Sequence, residues 1–216
     1  YQLLRDFTPV APINASDLVL VVHPSLQVNT LADLIRLARA RPRTLTYASS
    51  GPGTPYHMAG ELFKKMAGVD IVHVPYKGVA PAFTDVLANR VPVMFMTYGS
   101  GKQHWESGKV RPLAVSTPKR FSYMPELPTM AEASGIKDFS LIEWYALVAP
   151  ASMPKAGMEK LAKALTEVMN RPEHAQFNQK YGLEYENMSM ADTQAFLMGE
   201  LDRMAVIAKR ANIKMD

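Results

Sequence analysis

Cysteine is absent from the 216 residues. That excludes disulfides, thiolate nucleophiles and cysteine-based metal sites. It also suits a compartment in which stray thiols would oxidise. Long apolar runs are missing too. The longest, residues 17–22, is strand length, whereas a membrane span requires roughly 18 residues. Charge of one sign is scarce: 24 basic and 20 acidic residues leave a net +4. A nucleic-acid surface needs a basic stripe, and the charges here are dispersed. So small a positive balance favours anionic small ligands through steering. No signal peptide is recognisable, and the first residue is Tyr1, which reads as a processed or truncated product.

What is present describes a globular α/β chain. Hydrophobic residues make up 48% and charged residues 20%, enough for a sizeable core. The 14 methionines fall mostly at helical core spacing, as with Met58, Met66, Met158 and Met169, so they read as gap-fillers. The opening segment to Ile13, with Pro9 and Pro12, is predicted to be extended. Asp17 to Val22 reads as a strand buried on both faces. Thr30 with Asp33 predicts a capping box, followed by an apolar face of Leu31, Leu34, Ile35 and Ala38. Further strands are expected at 45–48, 71–74, 91–95 and 112–116, with helices between them. That alternation predicts βαβ units and a largely parallel sheet. A second long apolar run, Leu141 to Val148, holds Trp144. After Pro154 the pattern is helical only, and those helices lack a sheet to pack on, so part of a second domain is expected to be missing from the front.

Residues 45–60 organise the chain. Leu45-Thr46-Tyr47-Ala48 alternates like a strand. Ser49-Ser50-Gly51-Pro52-Gly53-Thr54 is a small-residue loop. Thr54 is placed to cap a helix whose first residue is Pro55. A helix start carries backbone N–H groups with no intrahelical partner, and its dipole favours negative charge. A carboxylate is therefore expected at this loop, although an ordinary βα turn would share the same pattern. Two more loops are predicted after strands: Pro75-Tyr76-Lys77-Gly78, and Met96-Thr97-Tyr98-Gly99-Ser100-Gly101. Right-handed crossovers would bring all three to the carboxyl edge of the sheet.

Other motifs fail on inspection. Gly99-Ser100-Gly101-Lys102 has Met96 and Gln103 where a phosphate loop requires Gly and Ser or Thr. Gly51-Pro52-Gly53 has Tyr56 at the third glycine of a dinucleotide fingerprint. His23, His57, His73, His104 and His174 form no ligand pair at metal spacing and read as structural or surface residues. Ser49 and Ser50 lack a nucleophile elbow. No catalytic residue, metal or cofactor is expected. Lys77 could contact an anion or simply be solvated.

The same segments resemble a known family. Asp6-Phe7-Thr8-Pro9-Val10, the Tyr47–Thr54 loop, Met58–Lys64, and the run His73-Val74-Pro75-Tyr76-Lys77-Gly78-Val79-Ala80-Pro81-Ala82 are similar to runs of the Bug (TctC-type) extracytoplasmic solute receptors of tripartite tricarboxylate transporters. Gly108–Ser116, Leu127-Pro128-Thr129, Trp144, Ala149-Pro150-Ala151 and Ala211-Asn212-Ile213-Lys214 continue the resemblance in order. It implies a type II periplasmic-binding-protein-like α/β fold: two lobes and a central cleft, the first lobe incomplete. The division expected is 1–20 with 145–216 for the first lobe and 21–144 for the second. The two apolar runs would be the crossings between them. The resemblance also implies a periplasmic, non-enzymatic receptor, expected as a monomer. It would bind a small carboxylate and no nucleic acid, and pass its ligand to membrane permease subunits.

Ser49, Ser50, Gly51, Gly53 and Thr54 would bind one carboxylate. Tyr76, Lys77, Gly78 and Thr97 would line the rest of the site. Members of the family often carry an acidic or amide pair where Met96-Thr97 stand here. That disfavours an amino acid and favours a di- or tricarboxylate or an aromatic acid. One alternative is a ligand-sensing effector module, since LysR-type regulators share the fold type. Another is an acyl-transfer enzyme using Ser49 or Ser50.

Overall fold

The computed structural model describes residues 2–210 and 213. Tyr1, Ala211, Asn212 and Lys214 to Asp216 lie outside the described residues, and with them most of the family-like ending. The chain divides into two compact units. One comprises residues 17–143 and 206–216, and the other 1–16 and 144–205. Two of the three boundaries fall inside strands, β1 (Phe7–Val22) and β6 (Ile142–Pro150), and the third falls inside the helix Met190–Arg210.

Residues 17–143 contain most of the sheet. Its other strands are β2 (Thr46–Ser49), β3 (Val72–Pro75), β4 (Val93–Thr97) and β5 (Arg111–Val115). The order is β3-β2-β4-β1-β5, and β6 pairs with β1 off this path. β2 is parallel to both β3 and β4, while β1 is antiparallel to β4 and to β5. The sheet is thus mixed, where alternation of strand and helix predicted a largely parallel one. Alternation specifies each crossover but not where β1 inserts, and β1 sits between two strands that run against it. Its residues Leu18 to Val22 are wholly buried, as the uninterrupted apolar run demands.

The helices of this unit follow local chemistry closely. α2 (Leu31–Ala40) starts at a complete capping box. Thr30 Oγ1 accepts the Asp33 N–H at 3.1 Å, and the Asp33 carboxylate accepts the Thr30 N–H at 3.1 Å. Its buried face is Leu31, Leu34, Ile35 and Ala38. α3 (Pro55–Ala67) opens on Pro55 and closes on Gly68, which takes the left-handed conformation at φ 61°. α4 (Val79–Leu87) and α5 (Tyr98–Glu106) complete the βα units, and α6 (Met130–Ser134) carries a second capping box through Thr129 and Glu132. The core centres on Tyr47, Phe63, Phe95, Met94 and Met96. Gly60 of α3 lies flat against the Tyr47 ring, where an added Cβ would stand 2.1 Å from a ring carbon.

The other unit begins with a single helical turn, α1 (Leu3–Asp6), before β1, so the strand starts ten residues ahead of the predicted Asp17. Pro9 and Pro12 are compatible with strand geometry wherever no ladder N–H is needed. Three helices follow β6: α7 (Lys155–Met169), α8 (Pro172–Tyr181) and α9 (Met190–Arg210). Ser189 caps α9, its hydroxyl oxygen accepting the Asp192 N–H at 3.1 Å. The apolar residues of α7 are only partly covered. Met169 is buried, whereas Leu161 and Val168 remain exposed.

Candidate anion-receiving edge

β3, β2 and β4 are neighbours and mutually parallel, so their carboxyl ends share one edge. α3, α4 and α5 all begin there. Three helix N-termini at one edge place three sets of unpaired first-turn amides and three positive dipole ends together. The expected third loop is absent: β4 ends at Thr97 and α5 begins at Tyr98. Ser100 makes this direct join workable. Its hydroxyl donates to the Thr97 carbonyl at 3.0 Å and lies 2.9 Å from Thr97 Oγ1.

The Ser49–Thr54 loop is held by its own side chains. Thr54 occupies the N-cap position, but its hydroxyl does not cap the helix; it donates back to the Gly51 carbonyl at 2.7 Å. That corrects the expected capping role. A capping hydroxyl must turn its oxygen lone pairs to the first-turn N–H groups, and here the hydroxyl is turned to the Gly51 carbonyl instead. Gly51 and Gly53 both have positive φ, 131° and 74°, which a side chain would strain. The Gly51 N–H donates to Ser49 Oγ at 3.1 Å, and the Gly53 N–H donates to His57 Nδ1 at 3.0 Å. Those two amides therefore brace the turn. The Met58 N–H likewise closes on the Thr54 carbonyl. Ser50, half-buried, stands beside the start of α3.

The second loop is bolted to the first. The Tyr76 N–H donates to the Ser49 carbonyl at 3.0 Å, and the Gly78 N–H to the Ser50 carbonyl at 3.2 Å. Tyr76 presents its backbone here, while its hydroxyl donates to Asp85 at 2.7 Å. Burial, then the Asp85 contact, push that phenol up to about 12. Asp85 in turn is held below the usual carboxylate range, first by Tyr76 and then by Arg90. Lys77 is exposed and makes no ion pair among the described residues. Of the nine predicted residues, eight are thus joined through two interlocked loops, and Thr97 arrives at the same edge on β4.

Sequence reasoning missed what lies beneath the loops. The register that pairs β2 with β3 sets Tyr47 opposite His73, and their rings stack with centroids 4.9 Å apart. His57 stacks on the other side of His73 at 4.1 Å. His73 Nε2 lies 2.6 Å from Ser49 Oγ, and the Tyr47 hydroxyl donates to Glu61 at 2.7 Å. Burial pulls both imidazoles below the ordinary 6.5, His73 to about 4 with the adjacent His57 contributing. The Ser49–His73 spacing is that of a nucleophile and its base. Ser49, however, is fully buried, and its hydroxyl oxygen already receives the Gly51 N–H. The pair serves as a brace. Scattered positions in sequence hid the cluster, but residues 47 and 73 at matching places in adjacent strands were the available signal.

A second polar layer flanks the edge. Ser116, just past β5, accepts the Leu18 N–H at 3.0 Å and donates to the Leu141 carbonyl at 2.5 Å. The Thr117 hydroxyl donates to the buried Asp17 carboxylate at 2.9 Å, and the Tyr56 hydroxyl to Glu143 at 3.1 Å. Among the described residues no cluster of His, Asp and Glu could hold a metal ion, and no helix is long and apolar enough to cross a membrane.

The mixed α/β sheet with its flanking helices has the fold of solved periplasmic binding proteins. The chain belongs to the tripartite tricarboxylate transporter receptor family, TctC, whose profile matches residues 1–213. The family is one of receptors, not enzymes. Among solved structures, the chain is similar to R. palustris Rpa4515 with adipate, at 37% identity and a TM-score of 0.92, covering 99% of this chain and 71% of that one. It is also similar to the periplasmic binding protein BugD, at 27% identity and a TM-score of 0.88, covering 97% and 71%. Among curated relatives, a UPF0065 protein from the tcbD-tcbE intergenic region of Pseudomonas sp. strain P51 is 34% identical over 184 residues, 85% of this chain and 55% of that protein. BugT of Bordetella pertussis is 29% identical over 215 residues, 100% of this chain and 66% of that protein. The chain thus spans about two thirds or less of the length of these curated relatives.

Proposed function

We propose that this chain is the ligand-binding part of a periplasmic receptor. It captures a small carboxylate, of the di- or tricarboxylate or aromatic acid class, and delivers it to the membrane permease subunits of a tripartite transporter. The observation that carries the reading is the convergence of three helix starts on one sheet edge in a chain of this family. A carboxylate there meets first-turn amides and dipole ends without needing a buried counter-ion. Adipate, present with the 37%-identical Rpa4515, is the natural first probe.

Within the site, Ser50 and the start of α3 receive one carboxylate. Gly51 and Gly53 leave the approach open, while Ser49 and Thr54 hold the loop in shape. Tyr76, Lys77, Gly78 and Thr97 line the remaining surface. Residues 1–20 with 145–216 and residues 21–144 serve as parts of two lobes, and the receptor works as a monomer. Calorimetric titration of the full-length receptor with adipate, succinate and benzoate tests the reading. Saturable binding of at least one acid supports it, and no binding of any anion contradicts it. A ligand-sensing effector module would also bind an acid. Loss of uptake of that acid in a strain deleted for the gene separates the receptor from it.

A further inference from the structure

The Ser49–Thr54 loop owes its shape to acceptors supplied from below, and one of these can be switched off by a proton. His57 sits in the first turn of α3, eight per cent exposed, and its Nδ1 accepts the Gly53 N–H at 3.0 Å. An acceptor nitrogen must carry no hydrogen, so the ring is neutral with its proton on Nε2. If the ring gains a second proton, Nδ1–H faces Gly53 N–H and two donors oppose each other. Among the described residues no other hydrogen bond holds the amide of Gly53, which sits at φ 74°. The groups facing the ring are His73 from the sheet and Glu61 and Lys64 from its own helix. Glu61 is already engaged by the Tyr47 hydroxyl and by Lys64 at 2.8 Å, so it is a shared counter-charge. β4, which also packs on α3, contributes no ionisable residue over Val93–Thr97. Two stacked imidazoles at 4.1 Å resist simultaneous charging.

We propose that His57 is a positioning residue for the anion-receiving loop: its neutral Nδ1 fixes the Gly53 amide, and protonation of the ring releases the loop and, with it, a bound carboxylate. The loop-fixing half stands on the hydrogen bond alone; the release of ligand rests on the receptor reading above. In this arrangement Ser49, itself 2.6 Å from His73, accepts the Gly51 N–H in the same way, so the turn is held at both glycines by side chains from α3 and β2.

The test follows the Gly53 amide by ¹H–¹⁵N NMR from above to well below the ordinary histidine value of 6.5. Three chains are compared: the unaltered one, His57→Asn and His57→Phe. Asparagine keeps an acceptor oxygen near the place of Nδ1 but does not titrate. Phenylalanine keeps the ring and loses the acceptor. In the unaltered chain the Gly53 amide is expected to shift and lose exchange protection with the same midpoint as the His57 ring. In His57→Asn it should stay protected throughout, and in His57→Phe unprotected throughout. Adipate affinity is measured in parallel. It should fall about tenfold across the His57 midpoint in the unaltered chain, the equivalent of one hydrogen bond, beyond the fall seen in His57→Asn, which shares adipate's own protonation. A Gly53 amide indifferent to the His57 midpoint overturns the positioning role, as does a His57→Asn chain that titrates like the unaltered one. If adipate binds none of the chains, the receptor reading loses its probe, while the Gly53 amide still decides the positioning role.

Discussion

The two units treat the same kinds of residue differently. In residues 17–143 most apolar positions of α2 and α3 are buried, from Leu31 and Leu34 to Leu62 and Phe63. In the unit of 1–16 and 144–205, comparable positions lie open: Leu4, Tyr145, Leu161, Val168, Phe177 and Met198 are each 39–51% exposed. Buried apolar residues there are few, among them Val10, Ala149, Met169 and Leu197. Helix-compatible sequence is present in both. The difference lies in what each helix has to pack on. α2 and α3 lie over a five-strand order, whereas α7 to α9 accompany only the outer parts of β1 and β6. Amphipathic helices gain most of their stability from tertiary packing, so local pattern alone does not make a core.

Matched substitutions should expose that contrast. Leu34→Ala removes a wholly buried side chain and is expected to cost about 2–5 kcal/mol. Leu161→Ala on α7, at 39% exposure, should stay within about 0.5 kcal/mol. Thermal unfolding of both variants reads the difference, and equal losses would break the comparison.

A glycine pair sharpens it further, with opposite signs. Gly60→Ala drives a methyl into the Tyr47 ring and should destabilise by about 1–3 kcal/mol. Gly199→Ala, inside α9 with open space around it, should stabilise its helix by about 0.5–1 kcal/mol. Denaturant midpoints for the two variants test this, and a shift in the same direction for both would contradict it.

Acid should affect residues 17–143 first through the stacked histidines. Both fold with values below the ordinary 6.5, so the unfolded chain binds more protons than the folded one as pH drops through that value. Stability is therefore complete above about 6.5 and declines towards about 4, where His73 titrates in the folded state. Asp33, Asp85 and Glu132 are held below their usual range and add to the loss at lower pH. Unfolding midpoints of the unaltered chain and of His57→Asn with His73→Asn, measured across that window, should converge only as pH falls. Parallel curves would show that the histidines contribute nothing to the slope.

The contrast also explains what the sequence could disclose. Caps and turns are local, so Thr30–Asp33 and Pro55 were legible. Three parallel strands with a shared edge followed from alternation, and the placement of the 49–54 loop at that edge with them. The insertion of β1 between β4 and β5 was not legible, because antiparallel placement depends on pairing partners roughly eighty residues away in the chain. Thr54 was misjudged for a similar reason: its hydroxyl had two acceptable roles, and the choice depended on the Gly51 carbonyl. The imidazole pair escaped because histidines sixteen residues apart in sequence become neighbours only when β2 and β3 pair and α3 folds over them.

The central claim is that the carboxylate is held by the loop at the start of α3 and not by a lysine. The most direct measurement compares adipate affinity in Thr54→Val and Lys77→Met, with Thr54→Ser as the variant that keeps the hydroxyl and with folding checked for each. Thr54→Val removes the donor to the Gly51 carbonyl and loosens the turn that sets the α3 start, so the loss of one charge-assisted bond from a displaced first-turn amide, about 1.5–3 kcal/mol, should weaken binding about tenfold or more. Thr54→Ser should restore most of it. Lys77→Met should cost about threefold or less, because an exposed charge contributes little. If Lys77→Met proves the more damaging while both variants stay folded, a point-charge site replaces the helix-start site.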